Sequence, residues 1–371
     1  MRKDPSRPLL DRRRALGLIT AGFASPFVIP SVGAQPALPE QTTVPDMLKG
    51  SGELRIANYG GTTHEAQQKA YFEPFEKATG IKVRTFPTAD TTKVRAMVDT
   101  GNVEWDLIHT GRGGIMRLMK IGDYFEKIDY SLIDDGVNKK YRFEYGLEFL
   151  VWANVIAYRT DAFKGAAPAS WADFWDTNKF PGDRAMYGIG AGMNPEIECA
   201  LMAAGVPADK LYPLDVDKAL ASYDKIRKSV VKWWDTGAQP PQMLTDREVV
   251  MTTVWNGRMA ALQEQGLPVA ICWNQGLTMR DAWGIPKGAK NKVNAMKFVA
   301  YSTMAIPQAR FALSIPYGSV NEGSDKYIPP ERLKVLPSAP DIRKQLVPYD
   351  YDWWTDNRDM VRARFIKWLL G

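Results

Sequence analysis

The chain has 371 residues, 45% hydrophobic and 24% charged, which are values of a globular protein rather than a disordered or fibrous one. Its 48 Lys and Arg exceed 42 Asp and Glu, but residues 1–34 hold six of the bases and two of the acids, so beyond them the net charge falls from +6 to +2. That residue of charge is no footprint for nucleic acid or an anionic membrane. With only Cys199, Cys272, His64 and His109, neither a disulfide framework nor a metal centre is expected.

Residues 1–34 read as an address rather than a fold. Arg2, Lys3 and Arg7 lead to Arg12-Arg13-Arg14, then to an apolar run over residues 15–32 and the small pair Gly33-Ala34. A basic start, a short apolar middle and a small-residue exit describe an export signal cleaved near Ala34, which places the mature chain in the periplasm. Gly17, Gly22, Pro26 and Pro30 suit a transient segment better than a bilayer span. The paired arginines point to the twin-arginine route. Leu16 fits that pattern, whereas Asp11, Ala15 and Gly17 depart from it. Residues 35–51 form a linker.

Strands and helices then alternate. A strand is predicted over residues 53–59, ended by Gly60-Gly61, and a helix over 66–79 stopped by Gly80. A strand over 81–86, a helix over 91–100 and a strand over 105–109 complete a βαβαβ order, which implies a parallel sheet with helices on its faces. Ligands sit beyond the carboxyl ends of such strands, here at Tyr59-Gly60-Gly61 and a loop over residues 110–114. A second α/β region follows. It has a helix over 170–176, a strand over 184–187, a glycine-rich turn over 188–192 and a helix opened by Pro195 that reaches Ala204. Further elements are a helix over 215–229, strands over 249–255, 269–273 and 283–285, a helix over 291–304 and an amphipathic helix over 357–370.

Neither glycine cluster spells a nucleotide-binding motif, so tight turns and close approach of a ligand to the backbone are the readings left. No G-x-S-x-G occurs, and no histidine adjoins a nucleophile, so no catalytic residue is assigned. Twelve tryptophans are many, and most must be core packing. Trp255, at a strand end, is the best candidate for stacking on a ligand. With a carboxylate such as Asp281 it would suit an organic cation.

Several stretches carry a likeness. They are Gly52-Glu53-Leu54-Arg55-Ile56-Ala57-Asn58-Tyr59, Phe75-Glu76-Lys77-Ala78-Thr79-Gly80-Ile81-Lys82-Val83, Trp105-Asp106-Leu107-Ile108, Ser170-Trp171-Ala172-Asp173-Phe174-Trp175, Trp255-Asn256-Gly257 and Asp281-Ala282-Trp283-Gly284-Ile285-Pro286. In this order, over residues 52–370, they resemble the spermidine/putrescine-binding (polyamine) group of periplasmic solute-binding proteins of ABC importers. The resemblance implies an α/β, two-lobed periplasmic binding protein fold (type II), each lobe a mixed, mostly parallel sheet flanked by helices, with a hinge between. It places residues 52–156 and 281–321 in one lobe, 157–280 and 322–371 in the other. It also implies a monomer that is not an enzyme, uses no cofactor, closes around its solute and delivers it to an inner-membrane ABC permease.

Residue by residue, Tyr59 falls where the family has an aromatic, Trp255 matches a cleft tryptophan, and Asp281 matches the carboxylate that holds an amine. Arg112 and Gly113 occupy a loop where polyamine binders place polar and tyrosine residues. Met279 stands where a second cleft tryptophan is usual, and Glu196 is displaced by one from an expected acid. The expected ligand-binding set is therefore Tyr59, Arg112, Gly113, Glu196, Trp255 and Asp281. A polyamine such as putrescine or spermidine is favoured on the resemblance. An arginine in the cleft would repel a dication. The alternative is a zwitterion (an amino acid, an opine-like compound or an aminophosphonate) held through Arg112 and the amides of residues 188–194, with Asp281 on the amine. An exported hydrolase is the alternative from another class.

Overall fold

In the computed structural model, which describes Leu38 and residues 44–190 and 193–371, two long strands organise the chain: β5 (Gly146–Arg159) and β9 (Val269–Gly284). The expected export signal and the first part of the linker lie outside the described residues. The chain from Leu38 to Gly371 forms one compact unit.

Ahead of β5 come β1 (Glu53–Ala57), α1 (Thr62–Gln67), α2 (Glu73–Thr79), β2 (Lys82–Phe86), α3 (Thr91–Asp99), β3 (Leu107–Gly111), α4 (Arg112–Ile121) and the short β4 (Arg142–Phe143). Between the long strands lie α5 (Trp171–Trp175), β6 (Arg184–Tyr187), α6 (Ile197–Ala203), α7 (Val216–Ile226), β7 (Val230–Trp234), α8 (Gln239–Thr245), β8 (Met251–Trp255) and α9 (Ala260–Glu264). After β9 come α10 (Lys292–Ser302), α11 (Ala305–Ser314), α12 (Pro330–Leu333), α13 (Pro340–Arg343), β10 (Val347–Pro348) and α14 (Tyr351–Leu370).

The strands join in one sheet of order β2-β1-β3-β9-β5-β8-β6-β7, with β4 on β5 and β10 on β9. Both flanks are parallel, as βαβ connections require: β1 with β2 and β3, and β6 with β7 and β8. The centre is antiparallel, with β9 between β3 and β5 and β8 on the far side of β5. One buried cluster runs from Leu54, Ile56 and Phe75 through Phe149 and Trp283 to Trp171, Tyr223 and Phe365, so both flanks share the apolar packing of the central ribbon.

The first five elements match the sequence reading, with one shift. The helix expected over 66–79 begins at Thr62 and passes through a π-helical turn, Gln68–Phe72, between α1 and α2. Residues 110–114, expected as a loop, are the end of β3 and the first turn of α4. The predicted strands over 269–273 and 283–285 are parts of one strand. It bulges because β9 runs from Cys272 to Leu277 while β5 covers only Ile156 to Asn154, and Gln275 takes φ +64 within the bulge. A smaller bulge at Phe149 separates the pairs Glu148–Ala282 and Leu150–Asp281. The final helix starts earlier than expected, where the Asp350 side chain accepts from the Trp353 amide at 2.8 Å.

Candidate functional site

The strand ends of β1, β3 and β8, the middle of β5 and β9, and the segment entering α14 surround a cavity of about 630 Å³. Of the expected residues, the structure brings Tyr59, Gly113, Trp255 and Asp281 to its lining. Asp281 lies beside the central ribbon with its side chain 15% exposed. His109 Nε2 donates to its Oδ2 at 2.9 Å and Trp152 Nε1 to its Oδ1 at 3.1 Å.

A carboxylate only accepts, so the ring proton of His109 sits on Nε2, and Nδ1 accepts from Gln67 Nε2 at 3.1 Å. Gln67 Oε1 in turn accepts from Asn58 Nδ2 at 2.9 Å, and the same amide donates to His64 Nδ1 at 2.9 Å. Asn58, Gln67 and His109 are buried, so this chain of bonds fixes Asp281 from behind. Aromatic rings close around it. Trp152 meets Trp255 at 5.8 Å, and Tyr59 meets the His109 ring edge-on at 4.8 Å. Burial, and next the Asp281 charge, push the Tyr59 hydroxyl up to about 12, so it remains a neutral donor.

Positive charge reaches the cavity from residues the sequence reading passed over. Arg117 stands one helical turn beyond Gly113 on α4, whose N-terminus has no side-chain cap. It is half-buried and makes no hydrogen bond or ion pair among the described residues. Burial, then the neighbouring Arg358 charge, pull its guanidinium down to about 10. A Cβ on Gly113 would lie 3.4 Å from Arg117 Nη1 and 3.7 Å from Tyr351 Cδ1, in ordinary contact with both, so Arg117 and Tyr351 meet at this first turn of α4. Arg258, just after β8, donates through Nη1 to Thr62 Oγ1 and lies 5.9 Å from the Trp255 ring centre, with its buried Nε unpartnered. Tyr317, Tyr349 and Tyr351 complete the wall, and Tyr351 Oη accepts from the Arg280 amide at 2.6 Å.

Two expected ligand residues stand elsewhere. Arg112 does not line the cavity; its Nη1 lies 3.5 Å from Glu148 Oε1 and its guanidinium stacks 4.9 Å over Phe143. Glu148 is fully buried on β5 and draws Arg112 and Arg280 to itself, the latter at 2.8 Å. Burial still raises it to about 7 against both cations. Glu196 is likewise absent from the lining. It is 4% exposed, accepts from Asn154 Nδ2 at 2.8 Å and is pushed by burial up to about 8, so it is a neutral buried acid rather than a ligand for an amine. The amides expected to be free over 188–194 are partly used, since Gly188 donates to the Trp234 carbonyl and Met193 to Tyr187 Oη. Among the described residues no cluster of three or more His, Cys, Asp or Glu could hold a metal ion.

The family described as bacterial extracellular solute-binding protein matches residues 70–339 of this chain. The chain is similar to the gamma-aminobutyric acid-binding protein of Pseudomonas aeruginosa, at 37% identity over 86% of this chain and 91% of that one. It is more distantly similar to the spermidine/putrescine-binding periplasmic protein of Escherichia coli, at 25% identity over 70% and 76%. Among solved structures, the Atu4243–GABA receptor matches with a TM-score of 0.79 and 38% identity, covering 85% of this chain and 97% of that one. The PBP AgtB of A. tumefaciens R10, in complex with agropinic acid, matches with a TM-score of 0.76 and 32% identity, covering 86% and 99%. These likenesses match the expected two-lobed α/β fold.

Proposed function

The chain belongs to the bacterial extracellular solute-binding protein family, the binding components of ABC transporters and not enzymes, and from that premise we propose that it captures a small solute bearing both an amine and a carboxylate, of the type of γ-aminobutyric acid. This takes up the zwitterion alternative and gives up the polyamine preferred on resemblance. The exported hydrolase falls with family membership.

The observation that carries the reading is one cavity holding Asp281 within aromatic rings and Arg117 with no hydrogen bond or ion pair among the described residues. The amine fits between Asp281 and the faces of Trp152 and Trp255, where ion pairing and cation–π attraction add. The carboxylate fits at Arg117, where the uncapped first turn of α4 adds its positive dipole end. A putrescine molecule would instead set its second ammonium against an unpaired guanidinium.

On this reading, residues 52–156 with 281–321 and 157–280 with 322–371 are two lobes closing over the solute in the periplasm, and the closed form is what an inner-membrane permease reads. The test is a tryptophan-fluorescence titration. γ-Aminobutyric acid should bind and putrescine should not; saturable putrescine binding with no response to the amino acid would sink the reading.

A further inference from the structure

We propose that Arg258 forms a second acid subsite, separate from Arg117, so that the cavity takes an amine with two acidic groups. The inference rests on the amine and carboxylate subsites proposed above and adds a third position to them. Arg117, Arg258 and Asp281 all line one cavity. The two arginines come from different parts of the fold, Arg117 from α4 and Arg258 from the turn after β8.

The free edge of Arg258 has the geometry that an acid needs. Its Nη1 is used by Thr62, while among the described residues Nε is buried without an acceptor and Nη2 makes no hydrogen bond, which leaves the paired Nε/Nη2 donors of the planar fork. Gly237 borders this edge, and a Cβ there would lie 3.3 Å from Nε. A buried donor without an acceptor costs free energy, and an acidic group of the ligand removes that cost.

Charge points the same way. Arg112 and Arg280 share Glu148, and Arg358 pairs with Asp359 at 3.4 Å, but among the described residues no carboxylate pairs with Arg117, Arg258 or Arg362. Arg362 binds the carbonyls of Ile189 and Met193. Asp235, at the cavity edge, is exposed and makes no ion pair. One carboxylate would answer Arg117 and leave Arg258 uncompensated. A solute with two acids and one amine answers both.

The second acid can be a carboxylate or a phosphonate, and calorimetric titration of the full chain separates them. The probes are γ-aminobutyric acid, its N-carboxymethyl derivative and its N-phosphonomethyl derivative. At least one derivative should bind roughly tenfold tighter than γ-aminobutyric acid, as expected for one added charge-assisted contact. In Arg258→Gln that ratio should fall to near one. Arg258→Lys, which keeps the charge but not the fork, should show a ratio between the two and serves if the glutamine variant does not fold. Binding of γ-aminobutyric acid with no gain for either derivative, or a gain unchanged by both substitutions, overturns the Arg258 subsite alone. Binding of none of the three overturns it together with the amine-and-carboxylate reading.

Discussion

Asp281 and Arg117 do opposite work with opposite preparation. Asp281 is held by His109 and Trp152, so its remaining lone pairs point a fixed charge at the cavity, whereas Arg117 is half-buried with no ion pair among the described residues. Removing either should weaken γ-aminobutyric acid binding by roughly 10- to 100-fold, the worth of one charged hydrogen-bonded contact. Calorimetry on Asp281→Asn and Arg117→Gln measures it, and wild-type affinity in either variant would remove that residue from the site. Glu196 acts on stability instead. Folded, it keeps its proton up to about pH 8, while unfolded it loses it near the ordinary glutamate value of about 4.5. The folded state therefore binds more protons between those limits, and stability falls as pH rises through that window. Glu196→Gln should flatten the decline and raise the melting temperature at pH 8; an unchanged pH dependence would show that Glu196 ionises freely. At this scale Tyr59, Trp255 and Asp281 were legible through the likeness of short motifs. Arg117 was not, because a residue one turn along a helix is invisible while that turn is read as a loop.

Among the elements, the glycine-punctuated first half was readable because Gly60, Gly80 and Gly101 stop apolar segments of clear period. β5 was not. Twelve of its residues from Gly146 to Ala157 are buried without a break, so it lacks the alternation that marks a half-exposed strand. β9 was broken in two by Trp273-Asn274-Gln275-Gly276, the bulge that lets it bend beside β5. The bulge is tightly built. Trp171 Nε1 donates to the Gln275 carbonyl at 2.9 Å, and a Cβ on Gly276 would come within 2.8 Å of Val155 and 2.9 Å of Leu346. Gly276→Ala should therefore cost about 1–3 kcal/mol by overpacking, read from the midpoint of urea unfolding at constant slope. A cost within about 0.5 kcal/mol, as at ordinary surface sites, would mean that the bulge yields easily.

For the whole molecule, a solute that binds only the folded chain must stabilise all of it. At about 100 times its dissociation constant the gain is about 2.7 kcal/mol, a rise of several degrees in a thermal melt. γ-Aminobutyric acid should produce that rise, while Arg117→Gln should not show it at the same concentration; an equal rise in both would place binding elsewhere. Cys199 and Cys272 are buried and unpaired, with burial raising both thiols, but unfolding exposes them, so the melt is run with a reductant. The ribbon of β5 and β9 has a mechanical consequence. Two strands bonded edge to edge are stiff within their common plane and soft across it, like a leaf spring. Sliding of the two flanks within that plane is thereby resisted, while bending and twisting across it stay soft. Asp281 and Trp152 sit on that spring. On the proposed reading, a solute held there pulls directly on the one ribbon that both flanks share.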